Sequence, residues 1–412
     1  MKVKSESEVA QSCPTLSDLM DCSLPGSSIH SYKIFVINPG STSTKLAYFE
    51  DENKLFETSV FHDAPYLASL GPVSNQLGHR LELIRKFIAD NGIDLNGVDA
   101  IVGRGGASMP CVGGTYEAND LLISDNYNYV TGVDHPANLG LPLAAELQKE
   151  YGGRVFMVDS PKTDEFCDLA RITGVPGIYR TSSTHALNLK GTVRMHCRKM
   201  GVKYEDGNYI VCHIDGGMSV SAHDHGRMID STNNAAGEGP FTPTRTGALP
   251  VSGVIDYFFD NEHRSRIGVE ERHYDSPEAA LRAAKEVLTR NAGLTGHFGT
   301  SNADVIHEMV DAGDPKAVRV WDAMIYNICK AIGEMTTVLS GRVDGIVCGG
   351  GLLRFDDLQQ KIRERCEWIA PVYYYPGEVE HEAMAAGALR VLRGEEEPLI
   401  YTGEPVFKGF ED

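Results

Sequence analysis

The sequence predicts an α/β fold in which one pattern of strands occurs twice. The first copy runs from KIFVIN to LFETSVF, and the second runs from YIVCHI to RMIDST. Each copy has the order strand, glycine turn, strand, turn, strand. When the copies are aligned on Ile37 and Ile214, Gly40 falls opposite Gly217, which indicates an internal duplication. Apolar strands alternate with helices along the rest of the chain, as is typical of α/β proteins.

Each element is predicted from its own residue pattern. The strands of both copies are short, apolar and rich in β-branched residues. Apolar residues at helical spacing predict a helix that Gly92 ends: Leu77, Leu81, Ile84 and Ile88. A capping serine at position 276 begins another helix, and residues 316–340 form a long one. The segments VDAIVGRGG, RVFMVDS and VDGIVCGGG predict buried strands, with ligands expected at their ends.

Length, composition and charge restrict the class of protein. A chain of 412 residues is too long for one compact core, so at least two domains are expected. The net charge of −19 argues against a nucleic-acid partner, and no apolar run is long enough to predict a membrane span. Nine cysteines without a CxxC pair indicate a reduced, cytoplasmic protein, with Cys212 and Cys348 as core residues. Residues 1–31 lack a secretory or transit pattern and are predicted to be a poorly ordered extension.

Three glycine-rich turns follow apolar strands. They are NPGSTSTK at residues 38–45, DGGMS at 215–219 and GGG at 349–351. Glycine allows a phosphate to approach backbone N–H groups closely. The spacing of a Walker loop is absent, and one such turn alone is more often only a turn. Three of them at strand ends favour a nucleotide site.

Charged side chains occupy several strand and helix ends. Arg104 ends a strand between two glycines, and Arg245 lies in a Pro/Gly/Thr loop, where a two-pronged guanidinium can bind carboxylate or phosphate. Asp159 ends a strand and Glu380 begins the last helix, and two such acids suit Mg²⁺. The alternative for Glu380 is a favourable charge at a helix N-terminus. His185 lies near a helix start, and a lone histidine is by default structural.

Several longer motifs occur in order from Tyr32 to the end of the chain. They include INPGSTSTKLAYFE, GRGG, GGTYEAND, DHPANLG, VDSPKTDEF, HALN, CHIDGGMSVSAH, GPFTPTRTGALP and PGEVEHEAMAAGALRVLRGEEEP. Together they resemble the acetate and butyrate kinase family. The resemblance implies two duplicated ribonuclease-H-like domains of the actin/Hsp70/sugar-kinase type with a nucleotide cleft between them. It places one domain at residues 32–160 plus 378–412 and the other at 161–377, and it implies a homodimer.

The resemblance also implies roles for individual residues. The implied catalytic residues are Asn38, Arg104, Asp159, His185 and Arg245. The implied Mg²⁺ ligands are Asn38, Asp159 and Glu380. The implied ATP-binding residues are Ser41, Ser43, Lys45, Gly216, Gly217, Thr300, Asn302, Gly349, Gly350 and Gly351. In this scheme the two arginines grip the carboxylate and the moving phosphoryl group, to which the histidine donates in the transition state.

Four positions depart from the family pattern. Asp215 stands in place of a glycine, where a carboxylate would repel ATP phosphates unless it points away or binds a metal. Thr184 replaces a phenylalanine before the histidine, and Asp304 replaces an arginine on the adenosine side. Asp159 is followed by Ser-Pro-Lys instead of Pro-Val-Val.

The implied reaction is reversible phosphoryl transfer from ATP to a short-chain fatty acid, so that butyrate gives butyryl phosphate and ADP. The HALN and RVLRGEEEP segments favour a butyrate kinase over an acetate kinase. Branched acids, propionate and acetate stay open, because one methylene changes discrimination by only about 1–3 kcal/mol. A nucleotide-binding protein without kinase turnover is the alternative from another class.

Overall fold

The computed structural model describes residues 30–410, and the extension predicted at residues 1–31 lies outside them except for its last two positions. The chain divides into two compact units. The first unit contains the described residues up to Gly207, the segment His223–Ile229 and the segment from Glu378 onward. The second unit contains Asn208–Ala222 and Asp230–Gly377. None of the described helices combines the length and the apolar character that crossing a membrane requires.

Strands and helices alternate along the described chain. The strands are β1 (Lys33–Pro39), β2 (Ser43–Glu50), β3 (Asn53–Phe61), β4 (Ala100–Gly103), β5 (Thr115–Glu117), β6 (Arg154–Val158), β7 (Asn208–Ile214), β8 (Met218–Asp224), β9 (Arg227–Ser231), β10 (Gly345–Gly350), β11 (Val372–Pro376) and β12 (Leu399–Ile400). The helices are α1 (Ala64–Ser69), α2 (Leu77–Asp90), α3 (Asp120–Tyr127), α4 (Gly140–Tyr151), α5 (Asp168–Arg171), α6 (Ala186–Met200), α7 (Val251–Phe259), α8 (Asn261–Arg266), α9 (Pro277–Thr289), α10 (Gly293–Phe298), α11 (Ala303–Asp311), α12 (Pro315–Val338), α13 (Asp356–Cys366) and α14 (Glu380–Leu392).

The sheet of the first unit has the described strand order β12-β5-β6-β4-β1-β2-β3. Its first three strands pair antiparallel and form the predicted meander. β4 runs parallel to β1, with Ile37 opposite Gly103, and β6 runs parallel to β4. The carboxyl ends of β1, β4 and β6 therefore lie at one edge of the sheet.

The second sheet has the described strand order β11-β10-β7-β8-β9. β10 lies between β7 and β11 and is parallel to both, with Cys348 opposite Cys212. The order β9-β8-β7-β10-β11 repeats the order β3-β2-β1-β4-β6 of the first sheet, and this repetition confirms the predicted duplication. Both cysteines are buried in the strands, as the sequence predicts.

The predicted helices form where their local signals place them. In α2 the predicted apolar face is buried at Leu81, Ile84 and Ile88. The Ser276 side chain caps α9 by accepting the backbone N–H of Ala279. α12 occupies 24 residues and buries an apolar stripe along its length, so the long predicted helix is confirmed.

The boundary between the two compact units differs from the predicted domain boundary. The sequence places residues 161–207 in the second domain, whereas the structure places them in the first unit. The reason is that α6 packs closely on α14, which belongs to the same unit. Gly191 makes this approach feasible, because a Cβ at that position would lie 2.9 Å from the Cβ of Ala383.

Candidate active site

Asn38 and Arg104 lie side by side at the edge of the first sheet. Each follows one residue of the Ile37–Gly103 pair, at the carboxyl ends of β1 and β4. The backbone N–H of Arg104 donates to the carbonyl of Ile37 at 3.0 Å, which continues the ladder one residue further. Both side chains are largely buried, with 9% of Asn38 and 11% of the Arg104 side chain exposed.

Glu380, the first residue of α14, is the acceptor that joins these side chains. Its carboxylate accepts Asn38 Nδ2 at 2.7 Å and Arg104 Nη2 at 3.1 Å. It also accepts Asn188 Nδ2 from α6 at 3.2 Å. The structure thus brings together three of the predicted site residues, Asn38, Arg104 and Glu380, and adds Asn188 to them.

The Arg104 guanidinium has one nitrogen that no described residue satisfies. Nη2 binds Glu380, whereas Nη1 is buried and has no hydrogen-bond partner among residues 30–410. An unsatisfied buried donor normally costs about 1–3 kcal/mol. A ligand oxygen at this position would remove that cost.

His185 lies immediately before α6, three residues ahead of Asn188. It precedes the first helical residue, and its carbonyl accepts the backbone N–H of Leu189. The structure thus places His185 at the N-terminal end of α6, the helix that carries Asn188. The preceding Thr184 is buried, and its hydroxyl contacts the Met228 sulfur at 3.9 Å.

Asp159 follows β6 and takes a backbone conformation that is rare outside glycine. Its φ angle is +39°, and such backbone strain is common at functional sites. The buried carboxylate accepts the Gly114 N–H at 2.8 Å. Burial raises the pKa of the Asp159 carboxyl, and the charges of Lys190 and Arg194 oppose this shift.

The first glycine turn connects β1 to β2 and is closed by a backbone bond. The Gly40 N–H donates to the Ser43 carbonyl at 2.7 Å, which leaves Ser41 at the exposed tip. Lys45 extends from β2 toward Glu378, at 3.5 Å between Nζ and Oε2. Both of these side chains are more than two-fifths exposed, so their ion pair contributes little stability.

In the second unit, Asp215 bridges two of the predicted phosphate-binding turns. Its carboxylate accepts the Gly216 N–H and the Gly351 N–H, each at 2.7 Å. The two turns meet because β7 and β10 are adjacent parallel strands. Gly217 and Gly350 lie in the same turns, and Gly350 has a φ angle of +119° that favours glycine. The aspartate that replaces the expected glycine thus occupies N–H groups that a phosphate would use.

The predicted adenosine-side residues form a helix cap. The Thr300 hydroxyl accepts the Asn302 N–H at 3.1 Å, and the Asn302 side chain accepts the Asp304 N–H at the start of α11. Asp304 binds Arg354 through Nε and Nη2, at 3.0 and 2.8 Å. The arginine expected at position 304 is therefore absent, and an arginine from another segment approaches that position.

Arg245 lies in a loop that is fixed by the segment ahead of α10. The carbonyls of Thr242 and Thr244 accept the N–H groups of Leu294 and Ala292, at 3.2 and 3.1 Å. Gly293 makes this contact feasible, because a Cβ there would lie 1.8 Å from the Thr242 oxygen. Burial lowers the pKa of Arg245, although a guanidinium remains protonated at neutral pH.

The acidic residues do not form a dedicated cage for a metal. Among residues 30–410, no group of three or more histidine, cysteine or acidic side chains is arranged to hold a metal ion. Asn38 and Glu380, two of the three predicted Mg²⁺ ligands, are in direct contact, while Asp159 binds Gly114.

Comparison with known proteins agrees with this fold. A family model described as the Acetokinase family matches residues 188–366. The chain is 40% identical over 370 residues to a probable butyrate kinase 2 from Caldanaerobacter subterraneus subsp. tengcongensis, and the match covers 90% of this chain and 99% of that relative. The chain belongs to the acetokinase family.

Solved structures show the same fold at much lower identity. An acetate kinase from Porphyromonas gingivalis matches with a TM-score of 0.67 and 18% identity, over 88% of this chain and 99% of that one. A propionate kinase from Francisella tularensis matches with a TM-score of 0.67 and 15% identity, over 86% of this chain and 98% of that one. These matches confirm the predicted fold class, the actin/Hsp70/sugar-kinase type to which the acetokinase fold belongs.

Two polar residues near the predicted sites of this acetokinase-family chain are missed by motif reading. Asn188 stands three residues after His185 in the HALN motif, so its helical spacing could have indicated a shared site. Arg354 follows the third glycine turn by three residues, and its pairing with Asp304 has no local signal because 50 positions separate them.

Proposed function

We propose that the protein transfers the γ-phosphoryl group of ATP to the carboxylate of a short-chain fatty acid, with butyrate as the first candidate. One observation carries the proposal: Arg104 binds Glu380 with one nitrogen and leaves a buried nitrogen without a described partner. A guanidinium in this state suits an anionic oxygen of a carboxylate or a phosphoryl group. The 40% identity to a protein named as a butyrate kinase supports the same class of acid.

The proposed residues fit the chemistry of acyl phosphate formation. A carboxylate is an adequate nucleophile, so the site needs no strong general base. The obstacle is to bring two anions together and to stabilise the charge on the equatorial oxygens of the phosphoryl group. Arg104, Arg245 and His185 would supply the cations and N–H donors that do this. Because the same contacts stabilise the transition state in both directions, the protein would catalyse the transfer in either direction.

ATP is the phosphoryl donor of this family, and the oxygen ligands present fit Mg²⁺. Asn38 donates its amide N–H to Glu380, so its carbonyl oxygen can face a cation. Mg²⁺ usually takes one or two carboxylates together with phosphate oxygens and water. We propose Asn38, Asp159 and Glu380 as the residues that hold it. When bound, Mg²⁺ would neutralise part of the charge on the phosphates.

The nucleotide would be held by backbone N–H groups and hydroxyls of the three glycine turns and of the α11 cap. The proposed residues are Ser41, Ser43, Lys45, Gly216, Gly217, Thr300, Asn302, Gly349, Gly350 and Gly351. Support comes from the position of each turn at the carboxyl end of a strand, where α/β sheets bind ligands. Asp215 is the one anionic group within these turns that this assignment must accommodate.

A hydroxamate assay tests the proposed reaction directly. Purified protein is incubated with Mg-ATP, hydroxylamine and, separately, acetate, propionate, butyrate, isobutyrate or isovalerate. Hydroxylamine traps the acyl phosphate as a coloured product, and strong signal with four-carbon acids is expected. Activity that is highest with acetate or propionate would show that one of these acids, and not butyrate, is the preferred substrate. ATP binding without product from any acid would indicate a nucleotide-binding protein without kinase turnover.

We also propose that the protein is a cytoplasmic homodimer. The dimer is supported by the family resemblance, and the cytoplasm by the nine cysteines that lack paired spacing. Sedimentation velocity across a tenfold range of protein concentration would test the dimer. A single species with the mass of one chain would contradict it.

A further inference from the structure

Arg80 of α2 is buried directly behind the first glycine turn, and no acidic side chain among the described residues pairs with its charge. Its side chain is 0% exposed, and it forms no ion pair with a described carboxylate. Burial lowers the pKa of Arg80 to about 10, so the guanidinium stays charged at neutral pH. Burying a charge without an oppositely charged partner is costly. Stability alone therefore does not explain this residue.

The Arg80 guanidinium is hydrogen-bonded to the turn itself. Its Nη2 donates to the Gly40 carbonyl at 3.0 Å, and its Nη1 donates to the Ser43 carbonyl at 3.4 Å. Gln76, the residue just before α2, holds the guanidinium in place by accepting Nε and Nη2 at 3.1 and 3.0 Å. In a trans peptide the carbonyl and the next N–H point in opposite directions. Because the Gly40 carbonyl points to Arg80, the Ser41 N–H points away from it.

The groups around Arg80 do not neutralise its charge. Thr44 Oγ1 accepts Arg80 Nη1 at 3.0 Å, and it also forms a hydrogen bond with His62 Nε2 at 2.8 Å. Burial, followed by the charge of Arg80, lowers the pKa of His62 to about 4. His62 is therefore neutral at neutral pH and does not offset the charge of Arg80, which acts on the turn.

We infer that Arg80 is a positioning residue of the phosphoryl-transfer site, which turns the carbonyls of the first glycine turn inward and gives the turn a positive charge for the phosphates of ATP. The inference rests on the proposed function, because it treats residues 38–45 as a phosphate loop. A buried charge is screened by salt much less than an exposed one. Arg80 therefore attracts phosphate without contacting it.

Two variants separate the charge from the packing. Arg80→Met removes the charge and keeps most of the volume, and Arg80→Lys keeps the charge but loses the two-pronged geometry. Arg264→Met is the matched control, because Arg264 is only 2% exposed and donates to the carbonyls of Tyr257 and Glu270 in the second unit. For each variant, the ATP dissociation constant is measured by calorimetry, kcat by the hydroxamate assay and stability by urea unfolding.

Arg80→Met should bind ATP at least about tenfold more weakly than the wild type and lose about 100-fold in kcat, as expected when a site loses its preorganised geometry. Arg80→Lys should bind ATP at least about threefold more tightly than Arg80→Met without being more stable, since a buried charge costs stability. A purely structural role would make ATP affinity follow stability instead. Arg264→Met should leave ATP affinity and kcat within about twofold of the wild type.

Equal ATP affinity in the two Arg80 variants would overturn the inference, and so would equal losses in Arg264→Met. If Arg80→Met does not fold, the ATP affinity of Arg80→Lys tests the inference instead. If the charge is what matters, this variant must bind ATP within about tenfold of the wild-type affinity. The wild type in the same assays tests the proposed function separately. If the wild-type protein binds ATP but forms no acyl phosphate, the proposed function is wrong. The comparison of ATP affinities among the variants still tests the role of Arg80.

Discussion

At the scale of single residues, Arg104 is a site side chain whose hydrogen bonding is incomplete. Its Nη2 shares the Glu380 carboxylate with Asn38 and Asn188, and its Nη1 is buried without a described partner. Loss of the arginine would leave the carboxylate with its two amide donors, so the local structure would survive. Removing Arg104 should therefore weaken the interaction with the ligand and leave the fold intact.

Arg104→Ala should reduce kcat about 10²–10³-fold while the protein stays folded, which is the usual effect of removing one donor to a developing charge. Arg245→Ala should do the same. The hydroxamate assay measures kcat, and urea unfolding measures stability. Arg85→Ala serves as the control, because Arg85 forms a surface ion pair with Glu150. Full activity in either test variant would remove that arginine from the proposed site.

The hydrogen bonds of Asp215 lead to a second prediction. Its carboxylate accepts hydrogen bonds from two backbone N–H groups that the proposed nucleotide site would use. Asp215→Gly and Asp215→Asn should therefore lower the ATP dissociation constant by about three- to tenfold. The reason is that each substitution removes a repulsion of about 1 kcal/mol between the carboxylate and the ATP phosphates. Calorimetry with ATP and with adenosine checks this, and adenosine affinity should not change. Weaker ATP binding in both variants would mean that Asp215 helps to hold the metal of the nucleotide.

At the scale of elements, the contact between α6 and α14 sets the positions of Asn188 and Glu380. Gly191 lies at the centre of this contact, where a Cβ would be 2.9 Å from Ala383 Cβ and 3.0 Å from Val379 Cγ2. The Ala383 Cβ is fixed to its backbone and cannot move without shifting a helix. The site therefore depends on a glycine that does not itself touch it.

Gly191→Ala should destabilise the protein by about 1–3 kcal/mol through overpacking, and it should also reduce kcat by moving Asn188. Gly333→Ala is the matched control, because a Cβ at Gly333 meets nothing within 4 Å in α12. That substitution should stabilise the protein by up to about 1 kcal/mol, as alanine favours helix over glycine. Urea unfolding compares the two variants, and equal stability would refute the packing argument.

The elements could be predicted from the sequence because their signals are local. Apolar periodicity indicates α2, a serine cap indicates α9, and the repeated meander indicates both sheets. The partners of Glu380 could not be predicted in this way, since Asn38 and Asn188 precede it by 342 and 192 positions. Arg80 was missed for another reason: among charged residues in an amphipathic helix, nothing in the sequence marks the one that is buried.

At the scale of the whole molecule, buried histidines make stability depend on pH. Burial lowers the pKa of His62 and of His196 to about 4 and that of His223 well below its usual value. In the unfolded chain a histidine has a pKa near 6.5. Between about pH 6.5 and 4 the unfolded chain therefore binds protons that the folded protein does not bind, and stability falls as the pH falls.

The free energy of unfolding should be constant above about pH 7 and should decrease below pH 6.5, with a slope of at most about 1.4 kcal/mol per pH unit for each histidine. Urea unfolding at pH 7, 6 and 5 measures this slope. His62→Gln should reduce it, because a glutamine oxygen can still accept the Thr44 hydroxyl and does not titrate. An unchanged slope in this variant would exclude His62 as a contributor.

The bond between Asn38 and Glu380 links the first strand of the fold to its last helix, and this has a consequence for biosynthesis. A ribosome that has made β1, β4 and β6 must add more than two hundred further residues before α14 exists. At about 5–20 residues per second this takes roughly ten to forty seconds. During that interval the sheet lacks the helix that packs against β1, β4 and β6. The nascent chain thus exposes apolar surface that chaperones would recognise, and the proposed phosphoryl-transfer site is complete only after α14 has been made.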